Sequence, residues 1–285
     1  MTRLAVLALA FLCTSGFAAA EGPVVQFTFN RCTGHDATGN GNDAKLTGNA
    51  TCRTSIEGNA GFDFDATSYF TAQSSADMDV TDAVTYTAWV NPDSLGSTAA
   101  LFRKWVGGYE DKDLSLQANG QIAFYLWNCM NGQPLLSRHK IPAGSWSHVV
   151  ATYDDAIARI FIDGQLDSSE PTRACAVANN SGSLYLAIDP ENPSEKYVGQ
   201  MDDFRIYRRS LSASEIRKLY DAEVPPDIAG RVGWQTTHTV SCQNITQGTQ
   251  LTLPPTKDAA WDCEAAGLAI DPGDQVRVTI DGAKY

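Results

Sequence analysis

The chain has 285 residues with 21 basic and 33 acidic side chains, a formal charge of −12 at neutral pH. That acidic balance, with no Lys/Arg cluster, argues against nucleic acid and anionic membranes as partners and leaves neutral glycans, cationic partners and divalent cations. A chain of this length suits one large β domain plus a smaller one.

Met1–Ala20 carries Arg3, an apolar run from Leu4 to Cys13 and the small residues Ala18, Ala19 and Ala20. This is the layout of a cleaved secretory signal peptide over residues 1–20, and the run is too short to insert in a membrane as an anchor. The mature chain is therefore expected to be secreted, extracellular or periplasmic. Six cysteines remain in it, an even number that suggests disulfides in an exported protein, and none sits in a Cys-x-x-Cys spacing.

Taken in order, Val24–Phe29 alternates as a first strand, and Asp36–Ala44 is dense in turn formers. Gly61–Asp65 and Tyr69–Ala72 read as a hairpin, and Thr81–Pro92 reads as a strand closed by proline. Leu101–Trp105, Leu114–Gln117, Ile122–Trp127 and Leu184–Ile188 are further short strands. The organising stretch is Trp146–Leu166, where β-branched and aromatic runs flank a short acidic turn. Asp163-Gly164 then supplies two residues that tolerate positive φ, as a type I′ turn requires. Within this meander Val149, Ala151 and Tyr153 share one face, while His148, Val150 and Thr152 share the other. Both faces are largely apolar, so the strand is expected at the centre of a covered sheet. The fold class is all-β: an antiparallel sandwich followed by a small β domain.

The pieces Asp36…Gly39-Asn40-Gly41-Asn42, Gly61-Phe62-Asp63-Phe64, Thr85–Pro92, Trp146–Tyr153, Phe161–Gly164 and Met201–Arg209 stand in an order that resembles the laminin-G-like, concanavalin-A-like jelly-roll family. The ending Leu211–Ile216 looks like that family's closing helix, and the resemblance runs from about Val24 to Tyr220. Local chemistry agrees: Ser212 with Glu215 makes a capping box, and Ile216, Leu219 and Tyr220 give one apolar face. The expected organisation is a jelly roll over residues 21–222, a linker over 223–228 that includes Pro225-Pro226, and a small disulfide-stapled module over 229–285. That module is expected to build on Val232–Val240, Thr249–Leu253 and Gln275–Ile280, with Trp261 as an anchor.

Pairing nearest neighbours within each module gives Cys32–Cys52, Cys129–Cys175 and Cys242–Cys263, one of fifteen arrangements. The family resemblance implies a structural calcium ion held by Asp203, with Asp202 as substitute and Asp36, Asn40 and the carbonyl near Gly61 as partners. The paired-carboxylate strand of the related glucanases is absent. Glu110-Asp111-Lys112-Asp113 is the densest charged cluster, but Gly107-Gly108 before it reads as a loop where charges stay solvated. His35, His139, His148 and His238 are scattered, and His148 on a central strand reads as packed. The protein is therefore expected to be a non-catalytic recognition module that binds a glycan or polysaccharide. Trp127, Tyr109 and Trp105 would stack on sugar faces, and Asn128, Asn131 and Asp111 would bond hydroxyls. A cell-surface protein partner and a polysaccharide-degrading enzyme with an unfamiliar site are the competing readings.

Overall fold

The computed structural model describes residues 22–55, 60–80, 82–106, 109–130, 132–172, 175, 177–223, 229–231, 239–253, 260–263, 268, 276–280 and 283–284. Strands are numbered in chain order. Sheet A runs β13 (Gln165–Pro171), β12 (Ile157–Ile162), β11 (Ser147–Tyr153), β6 (Val84–Pro92), β15 (Gly199–Tyr207), β4 (Ala60–Phe64) and β3 (Thr51–Thr54), with β1 (Val25–Phe27) also paired to β15. Sheet B runs β10 (Leu135–Lys140), β9 (Gln121–Leu126), β8 (Tyr109–Leu116), β7 (Ala99–Val106), β14 (Leu184–Leu186), β5 (Tyr69–Ala72) and β2 (Ala44–Thr47). Every pairing is antiparallel, and the inner faces of both sheets meet in one apolar cluster, so this is a β-sandwich.

The meander at the centre forms as its residues dictate. β11 lies between β6 and β12 and is buried along its whole length. Asp163 and Gly164 both take positive φ, +51° and +73°, in the two-residue turn from β12 to β13. Val149, Ala151 and Tyr153 join the inter-sheet cluster, whereas Val150 packs outward with Phe161, Tyr207, Leu211 and Ile216. The outer group is roofed by α1 (Ala213–Glu223). Trp89 belongs to this outer layer too, because Tyr220 of the helix stacks on it at 5.6 Å. Trp89 and Val150 are thus buried under the helix, while Phe29, Phe64 and Phe204 are buried between the sheets.

Two expectations are corrected. Gly61–Asp65 and Tyr69–Ala72 do not form a hairpin: β4 pairs with β15 and β3 in sheet A, and β5 pairs with β14 and β2 in sheet B. The chain turns at Asp65–Ser68 and crosses the core, so Phe64 meets Phe70 edge-on across the sandwich, ring centroids 5.9 Å apart at 79°. Glu110–Asp113 lies within β8, not in a loop, because β8 pairs antiparallel with β7 from Tyr109 onward.

The C-terminal segment holds a two-stranded sheet of β16 (Ala229–Arg231) with β19 (Ala260–Asp262). It also holds a four-stranded sheet ordered β18 (Thr249–Thr252), β17 (Val240–Asn244), β20 (Val276–Ile280), β21 (Ala283–Lys284). Val240, Cys242, Cys263, Leu268 and Val278 form its small core. The Val232–His238 part of the expected first strand and the side chain of Trp261 lie outside the described residues. All three expected disulfides form: Cys32–Cys52, Cys129–Cys175 and Cys242–Cys263.

Candidate functional site

Strand directions bring the Val106 end of β7, the Tyr109 end of β8, the described residues after β9 and residues 177–183 to one end of the sandwich. Cys129–Cys175 ties the residues after β9 to the chain just ahead of the 177–183 stretch, with Cα atoms 5.5 Å apart. Two lysines do the rest. Lys104 and Lys112 face each other across β7 and β8, in the row that continues to the core residue Leu126, and are 2 % and 1 % exposed. Lys112 Nζ donates to Ala178 O at 2.8 Å and to Asn179 Oδ1 at 2.9 Å, and Lys104 Nζ donates to Asn180 O. Val80 N donates to Asn179 Oδ1 at 3.0 Å, and Gly182 N donates to Asn180 Oδ1 at 2.8 Å. Burying two ammonium groups is costly unless each is bonded, and here their protons fasten one loop.

Trp127 stands just past β9, 47 % exposed, with Tyr125 edge-on at 6.1 Å and 88°. Trp105 is half-buried; its backbone N–H donates to Ser183 O, and its carbonyl lies so close to Gly182 that a Cβ there would be 1.8 Å away. Asn128 is exposed beside Trp127. Tyr109 and Asp111 are placed on β8, but their side chains, like the whole of Asn131, lie outside the described residues.

Residues 73–79 and 179–183 enclose an open groove of about 710 Å³ at this same end, lined among others by Gln73, Ser75, Asp79, Asn180, Ser181 and Ser183. Its lining carries no aromatic ring. Sequence reasoning missed the 73–79 wall. Its only signal is the polar run Gln73-Ser74-Ser75, and the facing wall lies a hundred residues away.

The expected calcium ligands are already occupied by protein donors. Asp36, fully buried, accepts at Oδ1 from Gln26 N (3.1 Å), Thr38 N (3.1 Å) and Thr38 Oγ1 (2.8 Å), and at Oδ2 from Asn42 N (3.1 Å) and Asn42 Nδ2 (3.0 Å). Burial opposes its charge, yet these bonds hold its pKa below the usual aspartate value. Asp203 sits in a bulge with φ +46°, accepts from Gln26 Nε2 at 3.0 Å and pairs with Arg205. Asp202 accepts from Asp203 N at 2.7 Å and from Ser55 Oγ, against which Gly61 packs. Asn40 is exposed and donates its amide to Val24 O. Among the described residues, no group of three or more His, Cys, Asp or Glu side chains is arranged to hold a metal.

The histidines are separate. His139 bonds Asp167 where β10 meets β13, His35 bonds Asp43 at 2.9 Å on the surface, and His238 lies outside the described residues. His148 is packed as expected, between Trp89 at 5.0 Å and Tyr220 at 6.2 Å, but neither ring nitrogen has a hydrogen-bond partner. Burial, seconded by the Arg205 charge, pushes its pKa down to about 3.

The family model of the concanavalin A-like lectin/glucanases superfamily matches residues 64–217. Usherin of Rattus norvegicus is 26 % identical over 149 residues, 50 % of this chain and 3 % of usherin. The adhesion G-protein coupled receptor V1 of Danio rerio is 22 % identical over 94 residues, 32 % of this chain and 2 % of that protein. The chain thus spans only a few per cent of the length of these curated relatives. Domain 4 of an extracellular arabinanase from Geobacillus stearothermophilus, solved with arabinotriose, superposes with a TM-score of 0.57 at 19 % identity, covering 70 % of this chain and 98 % of that domain. A botulinum neurotoxin type C structure, from a toxin whose cell entry depends on two ganglioside molecules, gives 0.59 at 11 % identity, covering 79 % and 57 %. With half the chain matched by the family model and the sandwich topology in place, the chain belongs to the concanavalin A-like lectin/glucanases superfamily.

Proposed function

We propose that this protein is a secreted, non-catalytic recognition module that binds carbohydrate at the loop end of its sandwich. The observation that carries the reading is the pinned loop cluster with Trp127 exposed on it. A disulfide and two buried lysines order these loops before any ligand arrives, which lowers the entropy lost on binding. An exposed indole with a neighbouring amide is what stacking on a sugar ring needs. The arabinotriose complex and the ganglioside-dependent toxin support the reading by analogy of fold alone.

A glycan array, run with and without chelator, tests the proposal. The expected affinities are shallow-site values, micromolar to millimolar, or roughly 4–8 kcal/mol. Trp127→Ala should weaken binding by about tenfold or more at unchanged melting temperature, as loss of a stacking aromatic does. If glycans bind and Trp127→Ala leaves affinity unchanged, the indole is not the platform. Usherin and the adhesion receptor favour a second reading, adhesion through a polypeptide partner, which pull-down of a protein in place of any glycan would establish. Turnover in a reducing-sugar assay would instead establish an enzyme. The calcium ion implied by family resemblance would require Gln26 and Arg205 to give up Asp203. A rise in melting temperature on adding calcium to chelated protein is the result that would restore it.

A further inference from the structure

The groove between residues 73–79 and 179–183 is an open concavity of about 710 Å³ whose lining does not include the expected stacking residues. Its walls are unlike an ordinary loop surface. The 179–183 wall is held by Lys104, Lys112, Val80 and Gly182 through Asn179 and Asn180, and by the Trp105 backbone N–H on Ser183. The facing wall is tied in as well: Ser74 Oγ donates to Asn180 O at 3.4 Å, and Ser75 Oγ donates to Asn42 Oδ1 at 2.5 Å. Two lysines in the inward row of a sandwich sheet break the apolar pattern of that row, and such local violations belong where function sets the residue.

Resting on the carbohydrate reading above, we propose that this groove is a saccharide subsite for neutral, polyhydroxylated ligands. The exposed lining is hydroxyl, amide and one carboxylate: Gln73, Ser181 and Ser183 present groups that both donate and accept, and Asp79 accepts only. Asp79, 48 % exposed, is the carboxylate of the groove, and the buried Lys104 Nζ lies 3.9 Å from it as an ion-pair partner, while Lys112 Nζ is held by loop oxygens. A sugar hydroxyl donates to that carboxylate, whereas a uronate has to compete with it for Lys104 and meets the negative charge of the chain as a whole.

Calorimetry with neutral trisaccharides (arabinotriose, cellotriose, maltotriose) and with trigalacturonic acid tests this on the full mature chain. Gln73 and Ser181 are exposed on opposite walls, so Gln73→Trp and Ser181→Trp fill the groove without touching the core. At least one neutral trisaccharide should bind, and each plug should weaken it by about tenfold or more with the melting temperature unchanged. Asp79→Asn should let trigalacturonic acid bind where the parent protein does not. If neutral saccharides bind and both plugs leave affinity intact, the groove is overturned while carbohydrate binding at Trp127 stands. Tighter binding of trigalacturonic acid than of every neutral probe overturns the ligand class. If no saccharide binds here or on the array, the carbohydrate reading falls and takes this subsite with it. Should one plug fail to fold, the other wall's variant decides.

Discussion

The two faces of sheet A are built on opposite plans. The inner face is apolar and filled with rings: Phe27, Phe62, Phe64 and Phe204 pack against one another, against Phe70 and against Phe102 of sheet B. The outer face, reached from the same strands, buries His148, Thr87 and Thr152 under the helix side, and the ring nitrogens and hydroxyls of these three have no hydrogen-bond partner. Area removed from water stabilises the first face whatever the pH. Desolvated polar groups make the second face sensitive to them. Burial alone therefore does not say what a position contributes; the atoms that are buried do.

The largest expected effect sets the faces apart by pH. His148 has a native pKa of about 3 against roughly 6.5 when unfolded, so the unfolded chain binds the extra proton first. Stability is then fully present above about pH 7.5 and is lost as pH falls from about 6.5 toward 3, by roughly 5 kcal/mol at most. The groups around the imidazole are Trp89, Tyr220 and the Arg205 charge, and neither ring nitrogen has a hydrogen-bond acceptor to hold an added proton. His148→Leu should flatten the decline between pH 6.5 and 4.5 in urea melts. The same decline in His148→Leu would mean that another group, not this face, carries the acid sensitivity.

The inner face should answer with a loss that pH does not change. Phe64 touches Phe62, Phe70 and Tyr197 with centroids 6.2, 5.9 and 6.4 Å away. Phe64→Ala removes that ring and leaves a cavity, for about 3–5 kcal/mol. Denaturant midpoints of this variant and its parent should fall in parallel between pH 5 and 8. Convergence of the two curves at low pH would show the faces to be coupled, and the contrast would fail.

What could be read from residues alone follows the range of the interaction. The β11 alternation, the positive-φ pair Asp163-Gly164 and the Ser212–Glu215 box are set within a few residues, and each stands in the structure as read. The disulfides followed because bonding partners lie close in the chain within each module. Phe64 and Phe70 were misjudged as hairpin neighbours because alternation marks a strand but not its sheet. Lys104 and Lys112 carry no signal of burial: the oxygens that receive them, on Ala178, Asn179 and Asn180, come from some seventy residues later. The groove depends on the same long-range closure, and so does the loss of partners around His148.

The smallest effect concerns the helix that covers the outer face. Ser212 N donates to Glu215 Oε2 at 2.8 Å and Glu215 N donates to Ser212 Oγ at 3.3 Å, a reciprocal cap at the start of α1. Hydrogen bonding to Ser212 N–H heads the influences on Glu215; with its other bonds to Ser212 and Arg209 it holds the carboxyl below the usual value, against the opposing effect of burial. Ser212→Ala removes one side of the box and should cost about 1 kcal/mol. Because α1 seats Tyr220 on Trp89 and His148, a weaker helix start should also expose the outer face, while the Phe-lined inner face stays packed. Amide exchange reads both at once: faster exchange in α1, with protection of β1 and β4 unchanged apart from the global shift, is the expected pattern. Equal acceleration throughout would mean that helix and sandwich open together, and that the two faces of sheet A form one cooperative unit.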